Sequence, residues 1–217
     1  MTGLTVIGAG KFAVEVTRYI ADTSLADPCG YRVDRYLSVA DEPAHVPVDR
    51  CMALDRFEPA PGTRVVLALA DPAQRRTVID GFIEKHGLAA VNIVHPTSRI
   101  DSGEIGGAGN IGAGNIIGPH CYFGANVTLG SFNVVNYSCT VGHHSRIGSN
   151  NFIAPNFNCG NSVVIGDDNF FGLSCTIAPE VDAGSDSRFQ AGITLFENAA
   201  SGHSHVMPNR IKSIKSF

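Results

Sequence analysis

The turn Gly8-Ala9-Gly10-Lys11-Phe12-Ala13 has the G-x-G-x-x-A form in which backbone amides and a helix N-terminus can approach a phosphate. Five histidines, His120, His143, His144, His203 and His205, lie in the second half of the chain. Imidazoles there could exchange protons near neutral pH, bind a metal, or simply be solvated. The six cysteines include no C-x-x-C pair, which removes zinc ribbons and thioredoxin-type redox chemistry and leaves reduced, mostly buried thiols. Arg210, Lys212 and Lys215 place three positive charges within six residues of the tail, either a solvated basic end or a partner for anions.

The 217 residues that must position these groups carry a net charge of −4, which gives no sign of nucleic-acid binding. Charged residues make up 17%, below the roughly 25% of ordinary soluble domains, while 24 glycines exceed the usual share. Tight backbone is therefore expected rather than helical bundles. No apolar run reaches the roughly 20 residues that cross a bilayer, and Met1 to Lys11 lacks the charged start of a signal peptide, so a cytoplasmic protein without a membrane partner is expected.

The chain changes character near residue 91. All 14 asparagines lie at or after Asn92, and 17 of the 24 glycines follow it, whereas 10 of the 16 basic residues precede it. Before that point strands alternate with helices. Leu4 to Ile7 is a short apolar run, Ala13, Val14, Val16 and Ile20 share a helical face, and Tyr31 to Leu37 alternates as a strand. A third strand is expected at Arg64 to Ala70. Asp71 then offers an N-cap with Pro72 behind it, Gly87 ends the helix, and Ala89 to Val94 makes a fourth strand. This pattern predicts a small Rossmann-like α/β domain over residues 1–93, with parallel strands joined by right-handed crossovers.

From Ile105 to Leu195 an apolar residue recurs every six positions without a phase break, and the next residue is Gly in 11 of the 16 hexads. Period six over 91 residues predicts a solenoid of about five coils in residues 94–217. Within it, His143 takes the third position of its hexad, a corner. Cys121, Cys139 and Cys175 share the fifth position and predict an inward column.

This hexapeptide pattern resembles that of the left-handed parallel β-helix acyltransferases. The domain order, His95-Pro96-Thr97-Ser98 and the segment Asn136-Tyr137-Ser138-Cys139-Thr140-Val141-Gly142-His143-His144 resemble the NeuD/PglD-type sugar acetyltransferases. The resemblance implies an acetyl-CoA-dependent N- or O-acyltransferase acting on a sugar or nucleotide-linked amino sugar, and a homotrimer with the coenzyme between subunits. It implies His143 as general base and Asn136 as a substrate contact, with Gly8, Gly10, Lys11 and Phe12 near the nucleotide diphosphate. Gly160, Asn161 and Ala178, stacked beside His143, with Arg210 and Lys212 in the tail, would border acetyl-CoA. Two places depart from the family pattern. Gly142 and His144 stand where relatives have an acidic neighbour of the base, and Ser38-Val39 replaces an acidic pair after the second strand.

Two other readings compete: a non-catalytic trimeric scaffold or binding module, and a zinc hydratase of the β-helical carbonic-anhydrase kind. The second is weakened because His120 and His144 are four hexads apart, on different faces, so no metal is expected. The tail tests the acetyltransferase reading directly. Neutralising Arg210 and Lys212 together should weaken acetyl-CoA binding and flatten its salt dependence, measured by calorimetry at two ionic strengths. Unaltered affinity would return these residues to a solvated tail.

Overall fold

The computed structural model describes residues 1–27, 30–39, 42–101 and 111–207. The N-terminal unit is a parallel sheet in the order β3-β2-β1-β4-β5. Its strands are β1 (Thr2–Ile7), β2 (Tyr31–Ser38), β3 (Cys51–Ala53), β4 (Arg64–Leu67) and β5 (Ala89–Ala90). Helix α1 (Lys11–Ala26) follows β1, and α2 (Pro72–Val78) follows β4. Strand alternation divides the core. Leu4, Val6, Val66 and Ala68 pack with Ala13, Val16 and Ile20 of α1, while Ile7, Leu37, Val65 and Leu67 pack with Val78, Ile79 and Ile83 on the other face.

Several expectations change here. The buried face of α1 is Ala13, Val16, Tyr19, Ile20 and Ser24; Val14 lies outside it, 39% exposed. Asp71 caps α2 by accepting from the Gln74 N–H at 3.0 Å, and the helix widens into a π turn over Ile79–Glu84 before Gly87 closes it at φ +59°. β3 adds a fifth strand, and β4 stops at Leu67. The single strand expected from Ala89 to Val94 is two. Ala89–Ala90 pairs with β4, whereas Ile93–Val94 pairs with Ile116–Ile117. Asn92 makes the turn between them, its amide donating to Gly112 O and its Oδ1 accepting from Asn115 N.

Ile93–Val94 begins the solenoid. Three parallel sheets of seven, six and four two-residue strands form its faces, and between the two ends successive strands on a face are 18 residues apart, as in Val134↔Phe152, Thr140↔Asn158 and Arg146↔Val164. Both ends extend past the expected repeat, with Ile93–Val94 and Arg99–Ile100 entering and Ser204–His205 leaving. The hexad beginning at Ile105 lies outside the described residues. The first hexad residue points inward, building a core with Phe123, Val141, Ile153, Ile165, Phe171 and Phe189. The cysteine column is buried as expected, with Phe157 filling the rung between Cys139 and Cys175.

Two features hold the coils together. Asn115, Asn133, Asn151 and Asn169 are fully buried in one column. Each Oδ1 accepts the backbone N–H of the next rung at 2.8–3.0 Å, and each Nδ2 donates to a glycine carbonyl at the corner of the following coil. The corners themselves demand unusual backbone. Twelve non-glycine residues, every sixth from His120 to Asp186, have φ between 53° and 62°. Asn, Asp and Ser supply most of them, side chains that tolerate this left-handed region better than branched ones do.

The two units are clamped by α2. Arg75 is fully buried; it donates to Leu67 O, Leu69 O and Asn150 Oδ1 at 2.9–3.1 Å and also to Phe132 O. Burial pushes its guanidinium down to about 9, so it remains protonated at neutral pH. Arg76 grips Asp168 through Nε and Nη2, and Asp71 pairs with Arg188. On the α1 side, His95 Nε2 donates to Asp22 Oδ2 at 3.2 Å and its Nδ1 accepts from the Thr97 N–H and lies 2.9 Å from Thr97 Oγ1, while Ser98 Oγ donates to Gly118 O. Arg75→Met should leave four buried acceptors unpaired and cost roughly 3 kcal/mol, read as a lower urea midpoint. An unchanged midpoint would remove Arg75 as the clamp.

Candidate active site

His143 stands at the corner after the strand Thr140–Val141, on the edge of the six-stranded face. The first requirement of this corner is small residues at the second hexad position. A Cβ on Gly142 would lie 2.4 Å from Gly160 C, and one on Gly124 would lie 2.8 Å from His143 N. These contacts press one coil onto the next and turn the third and fourth residues outward. His143 and His144 are both exposed. The backbone around them is locked to its neighbours: His144 N donates to Ala125 O, and Ser162 N donates to His143 O, each at 2.9 Å.

The column through this corner reads Ala125, His143, Asn161 and Pro179, with Gly160 and Ala178 beside it. His143, Gly160, Asn161 and Ala178 are therefore brought together, one coil per step, as the eighteen-residue spacing requires. No carboxylate contacts His143 among the described residues. Its Nδ1 instead lies 2.9 Å from His144 Nδ1, with the rings nearly perpendicular at 88°, and His144 Nε2 lies 3.1 Å from Asn126 Nδ2. Among the described residues no partner reaches His143 Nε2, which leaves one ring nitrogen available to a ligand.

Asn136 sits at a different corner, after Val134–Val135 on the seven-stranded face. It is 4% exposed, its Nδ2 donates to Ile153 O at 3.1 Å, and its own carbonyl accepts from Cys121 Sγ. The Nδ2 end of its amide thus joins two coils. The tyrosine hydroxyl of Tyr19 approaches the same corner beside Gly118 and donates to Glu15. Burial of Cys159 pushes its thiol up to about 11, which keeps it protonated and unreactive.

The glycine loop reaches α1 as expected. Gly8, at φ +124°, brings the backbone so near β4 that a Cβ would lie 2.4 Å from Ala68 O. Lys11 is exposed at the first helical position, whereas Phe12 packs edge-on against Phe152 with centroids 5.7 Å apart, joining the inter-unit core. The residue missed by sequence reasoning is Glu42. Its Oε2 accepts the Ala9 N–H at 2.8 Å, and its Oε1 would lie 2.3 Å from a Cβ on Gly10. The chain's own carboxylate thus occupies the helix terminus where an anion would bind. His45 N, donating to Ala9 O, and buried Val46 fasten this segment. An acidic residue between β2 and β3 was the available signal.

A cleft of about 950 Å³ opens at the ends of β2 and β3, lined by Ser38, Val39, Phe57, Phe82, Lys85 and His86 among others. Ser38 and Val39, which replace the acidic pair, therefore border a cleft with Phe57 and Phe82 in its walls. Arg210 and Lys212 lie outside the described residues. Glu42→Gln should tighten binding of UDP or GDP by roughly 3- to 10-fold, because it removes a negative charge from the phosphate seat while keeping an acceptor for Ala9 N–H. Equal affinity by calorimetry would mean that the seat takes no phosphate.

No protein-family model matches the chain, and no curated protein matches it. Solved structures do. A histidine-to-asparagine variant of perosamine N-acetyltransferase from Caulobacter crescentus, in complex with CoA and GDP-perosamine, has 18% identity and a TM-score of 0.73, covering 94% of this chain and 91% of that chain. The acetyltransferase domain of PglB from Neisseria gonorrhoeae, in complex with acetyl coenzyme A, has 18% identity and a TM-score of 0.76, with 93% and 94% covered. WeeI from Acinetobacter baumannii has 19% identity and a TM-score of 0.74, with 94% and 96% covered. The parallel coils and their short repeated strands fit a left-handed β-helix, and this chain shares the fold of these three solved structures.

Proposed function

We propose that this protein transfers an acetyl group from acetyl-CoA to an amine or hydroxyl of a sugar or nucleotide-linked amino sugar, in glycan or surface-polysaccharide biosynthesis. The observation that carries the reading is the exposed His143, whose Nε2 meets no partner among the described residues, set in a fold shared over 94% of the chain with an enzyme that was crystallised with CoA and GDP-perosamine.

The thioester carbonyl is already electrophilic, so the demand on the protein falls on the nucleophile. As the acceptor nitrogen or oxygen bonds to the acetyl carbon, His143 Nε2 takes its proton. The carbon–sulfur bond then breaks, and the proton passes from the imidazolium to the sulfur, giving the acetylated acceptor and free CoA with the histidine restored. Gly160, Asn161 and Ala178 would border the thioester, one and two coils along from the base. Arg210 and Lys212 would meet the coenzyme phosphates.

Residues 1–93 are read as a Rossmann-like domain that holds the acceptor, and residues 94–217 as the β-helical acyltransferase domain. The parallel order β3-β2-β1-β4-β5 supports the first part, since its glycine turn and the cleft bordered by Ser38 and Val39 lie at strand C-terminal ends. A cytoplasmic homotrimer completes the reading. Exposed Tyr122, Val164 and Leu173 on the solenoid give apolar surface for lateral packing, and the five described cysteines are all free thiols, in keeping with a reducing compartment.

His143→Ala should fold normally, because its corner side chain is outside the core. It should lower acetyl transfer by roughly 10² to 10⁴, the usual share of a general base, and His144→Ala should cost less. A panel of amino sugars and nucleotide sugars assayed for CoA release gives the measurement. Equal activity of His143→Ala and the parent chain would remove the mechanism, and absence of transfer to every acceptor would favour the scaffold.

A further inference from the structure

We infer that His144 and Asn126 act as positioning residues that determine which ring nitrogen of His143 carries its proton. The catalytic consequence rests on the reading of His143 as base; the relay itself does not.

A neutral imidazole carries one N–H, so two nitrogens 2.9 Å apart, His143 Nδ1 and His144 Nδ1, must share one hydrogen between them. The other end of His144 decides the direction. Asn126 Nδ2 faces His144 Nε2 at 3.1 Å, and an amide nitrogen only donates, so Nε2 accepts. His144 then carries its proton on Nδ1 and donates it to His143 Nδ1. The proton of His143 is left on Nε2, the outward nitrogen, where it blocks base catalysis.

Half a turn of the Asn126 amide reverses every step. Oδ1 only accepts, so His144 must carry its proton on Nε2, and its bare Nδ1 accepts from His143 Nδ1–H. The outward Nε2 of His143 then presents a lone pair. Taking a proton from the acceptor makes an imidazolium whose Nδ1–H remains bonded to His144, until the outward proton moves to the departing sulfur. Both registers use the same heavy-atom positions, because the two ends of an amide have nearly the same shape. A neighbouring carboxylate would enforce one register permanently; an asparagine reached through a second imidazole allows two.

The backbone is built to hold this geometry. Asn126 and His144 occupy equivalent corner positions on adjacent coils at φ 60° and 61°, and the coil above fastens His143 through Ser162 N. The positions also accept the substitutions needed as tests. Asp168 and Asp186 stand at the fourth hexad position with φ 62° and 53°, and Phe132 does so with φ 59°.

Imidazole ¹⁵N shifts of histidine-labelled protein near neutral pH read the tautomers without any activity. The parent chain should show the His143 proton shared between Nε2 and Nδ1, since the Asn126 amide fits either register. Asn126→Asp, whose carboxylate only accepts, should move that proton to Nδ1. His144→Phe should release His143 to the tautomer balance of free histidine. One unchanged His143 tautomer across the three proteins would overturn the relay. Under the acetyl-transfer reading, Asn126→Asp should raise kcat, and His144→Phe should lower kcat roughly tenfold with KM for acetyl-CoA unchanged. Tautomer shifts without transfer in any of the proteins would sustain the relay and overturn the enzyme. Transfer without tautomer shifts would sustain the enzyme and overturn the relay.

Discussion

A guanidinium removed from water must find acceptors for its donors, and Arg75 finds them on both sides of a boundary. Two are carbonyls at the end of β4, and two belong to the solenoid, Phe132 O and Asn150 Oδ1. The buried charge can therefore be satisfied only when the sheet and the coils are in one relative placement. Arg76 with Asp168, and Asp71 with Arg188, repeat the grip at the surface, where each pair is worth less. Through this placement α1 is laid along the seven-stranded face, where Phe12 meets Phe152 and His95 meets Asp22. The glycine turn, the Glu42 carboxylate above it and the coil corners thus take up fixed positions in one frame.

The solenoid supplies a second constraint. Each coil repeats backbone contacts close enough that Gly142 has no room for a Cβ against Gly160, and asparagines buried at the opposite corner leave no polar atom to slip by one residue. At each corner the third and fourth residues turn outward and are free to vary. That is why chemistry concentrates in columns there, and why a partner for His143 comes from the next residue, His144, and from a residue one coil away, Asn126.

The parts legible in the sequence were those set by local periodicity. The hexads from Ile111 to Leu195, the cysteine column and the Asp71-Pro72 start of α2 follow from spacing and capping alone. The stacking of His143 with Asn161 followed from the same arithmetic. Tertiary partnership was not legible. Ala89 to Val94 looks like one strand because its residues suit either sheet, and only pairing with β4 or with Ile116–Ile117 divides it. Arg75 reads as a charge on a solvated helix until Phe132 and Asn150 surround it. Glu42 reads as a loop acid until the chain folds it onto Ala9.

The contacts of α2 fall on Phe132, Asn150, Asp168 and Arg188, which belong to four successive coils. A spring secured to a bar at four consecutive turns cannot stretch or unwind between them. The N-terminal unit therefore works as a splint along the middle of the solenoid, and loosening is directed to the coil beyond Arg188, where the repeat shortens to sixteen residues and the strand Ser204–His205 has, among the described residues, a neighbour on one side only. The histidine corner at residues 143 and 144 lies within the splinted span, so its column keeps its pitch even while the C-terminal end of the coil breathes.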